Sequence, residues 1–257
     1  MGIVNVTPDS FFAEQRTESV DAAVTRGALL FAQGAAIVDV GGESTRPGAT
    51  PVSEVDELAR VVAVVAALSE LGPVSIDTTK EEVARQCVAA GAVMINDVGG
   101  RLAPVAGELG VAWVAMHAKG TPQTMQDDPR YDDVVEEVRD WLLAKIGEAR
   151  DVGVTDVWID PGIGFGKTAA HNWTLLRHCD EFASLAAETE TRLLVGTSRK
   201  RFLGMLGGEE RPVNERLAAS VATATAALEA GAALVRVHDV AESVEATKLL
   251  TEELIAL

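Results

Sequence analysis

Positive charge is scarce in this chain. Lys and Arg total 22 against 39 Asp and Glu, a formal net charge of -17. That balance argues against non-specific binding to nucleic acid or to an anionic membrane surface, but leaves room for a local basic pocket. Cysteine is nearly absent: Cys87 and Cys179 are the two in the sequence, at a spacing that fits no metal motif. Two buried, reduced thiols are expected, with a disulfide or a catalytic thiol as the lesser alternatives. No apolar run reaches about 18 residues without a charge, so neither a signal peptide nor a membrane span is expected, and the cytoplasm is the default location. The histidines are scattered, which suggests no three-histidine zinc site. No GxGxxG follows the first apolar segment, which weakens a dinucleotide reading. The stretch DPGIGFGKT, 160–168, ends like a phosphate-binding loop, but Pro161 stands where that pattern needs its first glycine.

What is present is a steady alternation of two periods. Short, β-branched, nearly continuous apolar runs mark strands at 2–6, 36–41, 73–78, 93–98, 112–117, 156–161, 192–198 and 234–240, as strands covered by helices read. Helical stretches lie between them at about 18–33, 53–71, 80–90, 103–109, 131–151, 171–187, 213–230 and 241–254. Ser53 and Asp56 have the spacing of a capping box, and Gly34, Gly91, Gly153 and Gly231 fall where helices should stop. Eight such pairs in 257 residues fit an α/β chain folded as a (β/α)8 TIM barrel, one domain over 1–257, a fold that takes about 250 residues. A doubly wound open sheet is the runner-up. His171 and His178 are expected on the surface of one helix. The run LAASVATATAALEAG, 217–231, is apolar on much of its circumference; it either packs wholly on the barrel or leaves an edge for a second subunit.

The informative pattern is polar. Asn5 lies in the first strand, Asp39 in the second, and Asp77, Asn96 with Asp97, His117, Asp160 and Ser198 end the third to the seventh. Arg236, His238 and Asp239 end the eighth. In a barrel these ends converge on one mouth, and buried polar groups need partners or a ligand. Asp77, Asn96 and Asp160 would offer acceptors to a ligand rich in N–H donors. Arg46, Lys200, Arg236 and His238 would make a local positive region able to clamp phosphate. Arg236 could equally form a salt bridge to Asp39 or Asp239. The glycines of 160–168 would let the backbone pass close to a flat ligand, with Phe165 beside it. No nucleophilic triad is evident, and a metal, if present, would be Mg2+ held by oxygen ligands and phosphates.

Nine segments in register, GIVNVTPDSF, DVGGESTRPGA, SIDT, INDVGG, MHAKGTPQTMQ, DPGIGFGKT, HN at 171–172, GTSRKRFLG and VRVHDV, resemble the motif series of the dihydropteroate synthases, from residue 1 to about 248. The resemblance implies a TIM barrel, often a homodimer, that joins 6-hydroxymethyl-7,8-dihydropterin diphosphate to 4-aminobenzoate and releases diphosphate in folate synthesis. It implies that Asp77, Asn96 and Asp160 bind the pterin with help from Lys200, and that Asn5 holds Mg2+ with the diphosphate. Thr45, Arg236 and His238 would grip that leaving group, and Arg46 and Pro47 would belong to a mobile second loop. Phe11, Phe165, Ser198 and Lys200 would line the aminobenzoate subsite. The catalytic weight would fall on Lys200, Arg236, His238 and Arg46.

One segment departs from the pattern. The family's first loop usually reads DSFSDGG, whereas this chain has Asp9-Ser10-Phe11-Phe12-Ala13-Glu14-Gln15. Ala13 replaces an acid, Glu14 and Gln15 replace two glycines, and Phe12 replaces a small Ser, changes expected to stiffen the loop and alter the aminobenzoate subsite. The segment that precedes strand 1 in the family is also missing from the sequence, so the barrel floor is expected to be less well covered. The alternatives are a related pterin-binding barrel that transfers a one-carbon unit to a corrinoid protein, or a weakly active or non-catalytic paralogue.

Overall fold

The computed structural model describes residues 1–6, 16–44, 48–121, 123–206 and 210–250. Among them, eight parallel strands follow one another around a sheet in chain order: β1 Gly2–Asn5, β2 Val38–Gly41, β3 Val74–Asp77, β4 Met94–Val98, β5 Ala112–Met116, β6 Val157–Asp160, β7 Arg192–Val195 and β8 Leu234–Val235. β2, β3 and β6 are buried at every position, as strands must be when helices cover one side and a packed barrel interior fills the other. The circle closes just beyond β8. Val237 bridges Gly2, the Ile3 N–H donates to Val237 O at 3.1 Å, and the Val237 N–H donates to Met1 O at 2.9 Å. The result is the expected (β/α)8 TIM barrel.

The covering helices are α1 Arg16–Ala32, α2 Glu54–Ser69, α3 Glu81–Ala89, α4 Ala103–Leu109, α5 Val134–Asp151, α6 Ala169–Arg177, α7 Cys179–Glu188, α8 Arg201–Gly204, α9 Leu217–Glu229 and α10 Val240–Thr247. Ser53 caps α2 by accepting the Asp56 N–H at 3.1 Å. Gly34, Gly91, Gly153 and Gly231 have φ of 97°, 112°, 84° and 101°, the left-handed geometry of helix stops. The main core, with Val61, Leu68, Ile95, Trp113, Leu142 and Phe182, fills the space between sheet and helices. Cys87 and Cys179 are free and buried, and among the described residues no helix is long and apolar enough to cross a membrane.

Three details differ from the sequence pattern. The single helix expected over 171–187 is two, because the backbone at His178 leaves helical geometry (φ -108°, ψ 28°). His171 and His178 therefore sit on different elements: His171 completes a capping box with Thr168, and His178 Nδ1 lies 2.8 Å from Glu181 Oε1. α9 starts at Leu217, after a 3-10 turn at Val213–Glu215. The loop 199–212 contains the short α8, which no hydrophobic period announces.

At the strand starts lies a smaller apolar cluster of Met1, Ile37, Met94, Val114, Trp158 and Leu194. A cavity of about 590 Å3 opens there, lined in part by Ile37, Met94, Trp158 and Leu234. Arg192 stacks 4.5 Å from the Trp158 ring centre and pairs with Asp156 at 2.7 Å. None of the polar strand-end residues borders this cavity; they converge at the opposite end.

Candidate active site at the strand ends

Arg236 organises one wall of the mouth. Its Nε donates to Asp39 Oδ2 at 2.6 Å and its Nη2 to Asp77 Oδ2 at 2.7 Å, while Asn96 Nδ2 donates to the same Asp39 oxygen at 3.0 Å. Of the two salt bridges open in the sequence, the partner is thus Asp39, joined by Asp77; Asp239 holds Arg199 instead. Asp39 is fully buried and Asp77 and Asn96 nearly so. Burial alone would lower the Arg236 pKa, but Asp39 and Asp77 more than offset it and hold it raised. One cation serves two carboxylates, so burial still pushes Asp77 up to about 7, with Arg236 opposing and Asp39 adding to the shift. Asp39 Oδ1, Asp77 Oδ1 and Asn96 Oδ1 are left with no hydrogen-bond partner among the described residues. Each such buried acceptor costs about 1–3 kcal/mol unless water or a ligand satisfies it.

The second wall is the loop after β6. Asp160 Oδ1 accepts the Gly162 N–H at 2.7 Å, and burial raises its pKa against the pull of Lys200. Two glycines are obligatory here. A Cβ on Gly162 would lie 1.7 Å from His117 O, and one on Gly166 would lie 2.2 Å from Lys119 O, and both have positive φ. Lys200 reaches in from the far side of the mouth. Its Nζ donates to Ile163 O and stands 4.7 Å from the Phe165 ring centre, and burial lowers its pKa to about 8 despite Asp160. Phe165 and Lys200, paired by the sequence reading, do meet.

The structure turns the remaining members in different directions. Regular strand ends at Val235, and Arg236 and His238 face different walls: Arg236 toward β2 and β3, His238 toward β7, where its Nδ1 lies 3.0 Å from Ser198 Oγ. Asn5 ends β1 as its one exposed residue, paired in register with Gly41. Phe11, Phe12, Ala13, Glu14, Gln15, Thr45, Arg46 and Pro47 lie outside the described residues.

Asp39, which the sequence reading placed in the second strand and offered to Arg236 as a partner, is the hub of the charge network. Lys167 was missed by sequence reasoning. Lys167 is 2% exposed; its Nζ contacts His117 Nδ1 at 2.8 Å and donates to Gly162 O at 3.0 Å and Phe165 O at 3.1 Å. It pins the glycine loop from beneath, and burial holds it well below the usual lysine range. Burial, aided by Lys167, lowers His117 to about 3, so its ring is neutral. Asp97, beside Asn96 on β4, anchors the next loop instead: its Oδ2 accepts the Leu102 N–H at 2.5 Å and the Trp113 indole N–H at 3.1 Å.

This geometry can be set beside known proteins. Residues 1–238 match the model of a family described as pterin binding enzyme. The dihydropteroate synthase of Mycobacterium leprae is 46% identical, over 97% of this chain and 91% of that protein. The chain belongs to the dihydropteroate synthase family. A solved dihydropteroate synthase of Xanthomonas albilineans with 4-aminobenzoic acid is 44% identical and superposes with a TM-score of 0.89, covering 100% of this chain and 93% of that one. A second structure of the Xanthomonas albilineans protein, in complex with 7,8-dihydropteroate, gives 41% identity and a TM-score of 0.85, again over 100% and 93%. In dihydropteroate synthase terms, the mouth residues described here occupy the motif positions on which the resemblance rests.

Proposed function

We propose that the mouth divides the dihydropteroate synthase reaction between buried acceptors that read the pterin and cations beside them that receive diphosphate. The reaction joins 6-hydroxymethyl-7,8-dihydropterin diphosphate to 4-aminobenzoate, forming the carbon–nitrogen bond of 7,8-dihydropteroate and expelling diphosphate. The orphaned oxygens of Asp77 and Asn96, a few bonds from Arg236, carry this reading. They are acceptors in want of N–H donors, which a pterin edge supplies, and Asp160 adds a carboxylate to the same set. Of the five N–H groups of a guanidinium, Arg236 commits two to Asp39 and Asp77, which leaves donors for a phosphate oxygen. Lys200 and Phe165 form a flat, cationic edge suited to the aromatic amine and its carboxylate.

Little acid–base work is needed, because the electron-rich reduced ring delocalises the cation left when diphosphate departs. Rate then comes from orientation and from the charge of Arg236 and the ring N–H of His238, placed where the negative leaving group develops. Mg2+ fits the donor set. Among the described residues no group of three or more His, Cys, Asp or Glu could cage a metal, whereas the exposed Asn5 at the end of β1 offers one neutral oxygen of the kind Mg2+ takes beside substrate phosphates and water. When bound, the ion would neutralise charge on the departing diphosphate. A homodimer through α9 is part of the same reading: Leu217, Ala218, Ala222 and Ala226 are exposed on a helix whose one charged residue is Glu229. The cytoplasm is the matching compartment for two free thiols.

The test is a coupled assay of diphosphate release with and without 4-aminobenzoate and Mg2+. Release that needs both supports the reading. Full-rate release without 4-aminobenzoate would defeat it. Sedimentation of an Ala222→Glu variant as a monomer, against a wild-type dimer, would test the α9 surface.

A further inference from the structure

Between Ser198 and Lys200 lies a residue in an uncommon conformation. The turn 197–200 closes with the Lys200 N–H donating to Thr197 O at 3.1 Å, and its third residue, Arg199, has φ 58°. A positive φ at the third position of a turn is the place for glycine or asparagine; a branched or long side chain there is strained. The structure holds Arg199 in that conformation from three sides. Its N–H donates to Ser220 Oγ at 2.8 Å, its carbonyl accepts Arg216 Nη1 at 3.2 Å, and its guanidinium Nε donates to Asp239 Oδ2 at 2.9 Å, with a second, shorter bond from Nη2 to Oδ1. Ser220 and Arg216, at the start of α9, are themselves buried.

The residues on either side of Arg199 are both in the mouth. Ser198 Oγ lies 3.0 Å from His238 Nδ1 and accepts the His238 N–H at 3.1 Å, while Lys200 crosses to Ile163 O and the Phe165 ring. Ser198–His238 and Arg199–Asp239 are thus two consecutive rungs that join the loop after β7 to the end of β8 in register. The side chain of Arg199 does not enter the mouth; it is spent on the second rung.

We propose that Arg199 is a positioning residue: its left-handed turn, locked by Asp239 and the start of α9, aims Ser198 and Lys200 into the mouth. In the unlocked state an ordinary side chain relaxes out of positive φ and carries Ser198 and Lys200 with it, so the rung maintains the aim of the site rather than its charge. This rests on the placement of Ser198 and Lys200 in the aminobenzoate subsite.

Comparing alanine with glycine at this position decides the matter, since glycine accepts positive φ without strain. In steady-state assays R199A and D239N are expected to lower kcat/KM for 4-aminobenzoate. R199G should recover about fivefold over R199A, the ratio set by the lower left-handed cost of glycine. R199K, keeping one bond to Asp239, should fall between wild type and R199A. A charge role predicts equal loss in R199A and R199G, and a purely structural role predicts a lower melting temperature with unchanged kcat/KM; either result overturns the proposal. If R199A does not fold, D239N carries the same test, with reduced kcat/KM at an unchanged melting temperature expected and wild-type kcat/KM the contrary result. S198A and K200A separate the two levels. Full activity in both would remove the subsite placement, whereas loss in both with R199A equal to R199G would remove only this inference.

Discussion

The two ends of this barrel are made by the same eight strands and differ in almost every physical respect. At the floor, Met1, Ile37, Met94, Val114, Trp158 and Leu194 form an apolar layer beside a cavity, and the Arg192–Asp156 ion pair there is half exposed. At the mouth, one further turn of the same alternation brings Asp39, Asp77, Asn96 and Asp160 into burial around a few cations. The floor is short of atoms, with a cavity of about 590 Å3 left beside its apolar layer. The mouth is short of partners: three of its buried oxygens have none among the described residues. A region of the first kind answers to stability and one of the second kind to a ligand, because unsatisfied buried acceptors cost free energy that only a matching donor returns.

The comparison is sharpest at Arg236. Removing it by R236A leaves Asp39 and Asp77 facing each other without their shared cation. The expected cost is about 3–5 kcal/mol of stability, together with a large loss of kcat/KM, read by denaturant unfolding and by steady-state kinetics. A full-stability R236A would show that the network is not held by its cation. Next comes D160N, which keeps an oxygen for the Gly162 N–H but turns donors toward a donor-rich ligand. It should lower kcat/KM on the order of 100-fold with little change in melting temperature. Pterin diphosphate binding at wild-type strength in D160N, measured by calorimetry, would break the division of labour between acceptors and cations.

The pH dependences of the mouth run in opposite senses. Asp77, raised by burial to about 7 from 3.8, binds more protons folded than unfolded between those values. Its contribution therefore declines as pH rises through 7, and D77N should flatten the melting temperature over that range. Lys200, lowered by burial to about 8 from 10.5, binds fewer protons folded than unfolded between those values, so stability gains from it as pH rises there while its positive charge is lost. Activity that depends on that charge should fall above about pH 8, and K200R should remove the alkaline limb of kcat/KM. The smallest effect belongs to the floor. The Trp158 indole N–H is buried without a partner among the described residues, so W158F should be neutral or stabilising by up to about 1 kcal/mol, with kcat/KM unchanged. A kinetic defect in W158F would couple the two ends.

How much of this was legible in the sequence depends on how local each feature is. All eight strands fell within the apolar runs, because a strand buried on both faces leaves an unbroken signature. The cap at Ser53 and the four glycine stops were legible for the same reason, since their chemistry spans three or four residues. His178 shows the limit: the period of 171–187 runs through it without interruption, yet the helix breaks there. Lys167 shows another. It was read as the tail of a failed phosphate motif, and only the fold reveals an ε-amino group enclosed by His117 and two carbonyls of its own loop.

By itself, then, the sequence determined the number and order of the strands, the placing of polar residues at their ends, and the family. The tertiary structure alone decided who meets whom. Arg236 chooses Asp39 and Asp77, 197 and 159 residues away, over its near neighbour Asp239, because closing the barrel sets β8 against β1 and carries the guanidinium over β2 and β3. Hydrophobic period encodes burial along the chain, whereas charge pairing across a closed sheet depends on register and curvature that no local window contains.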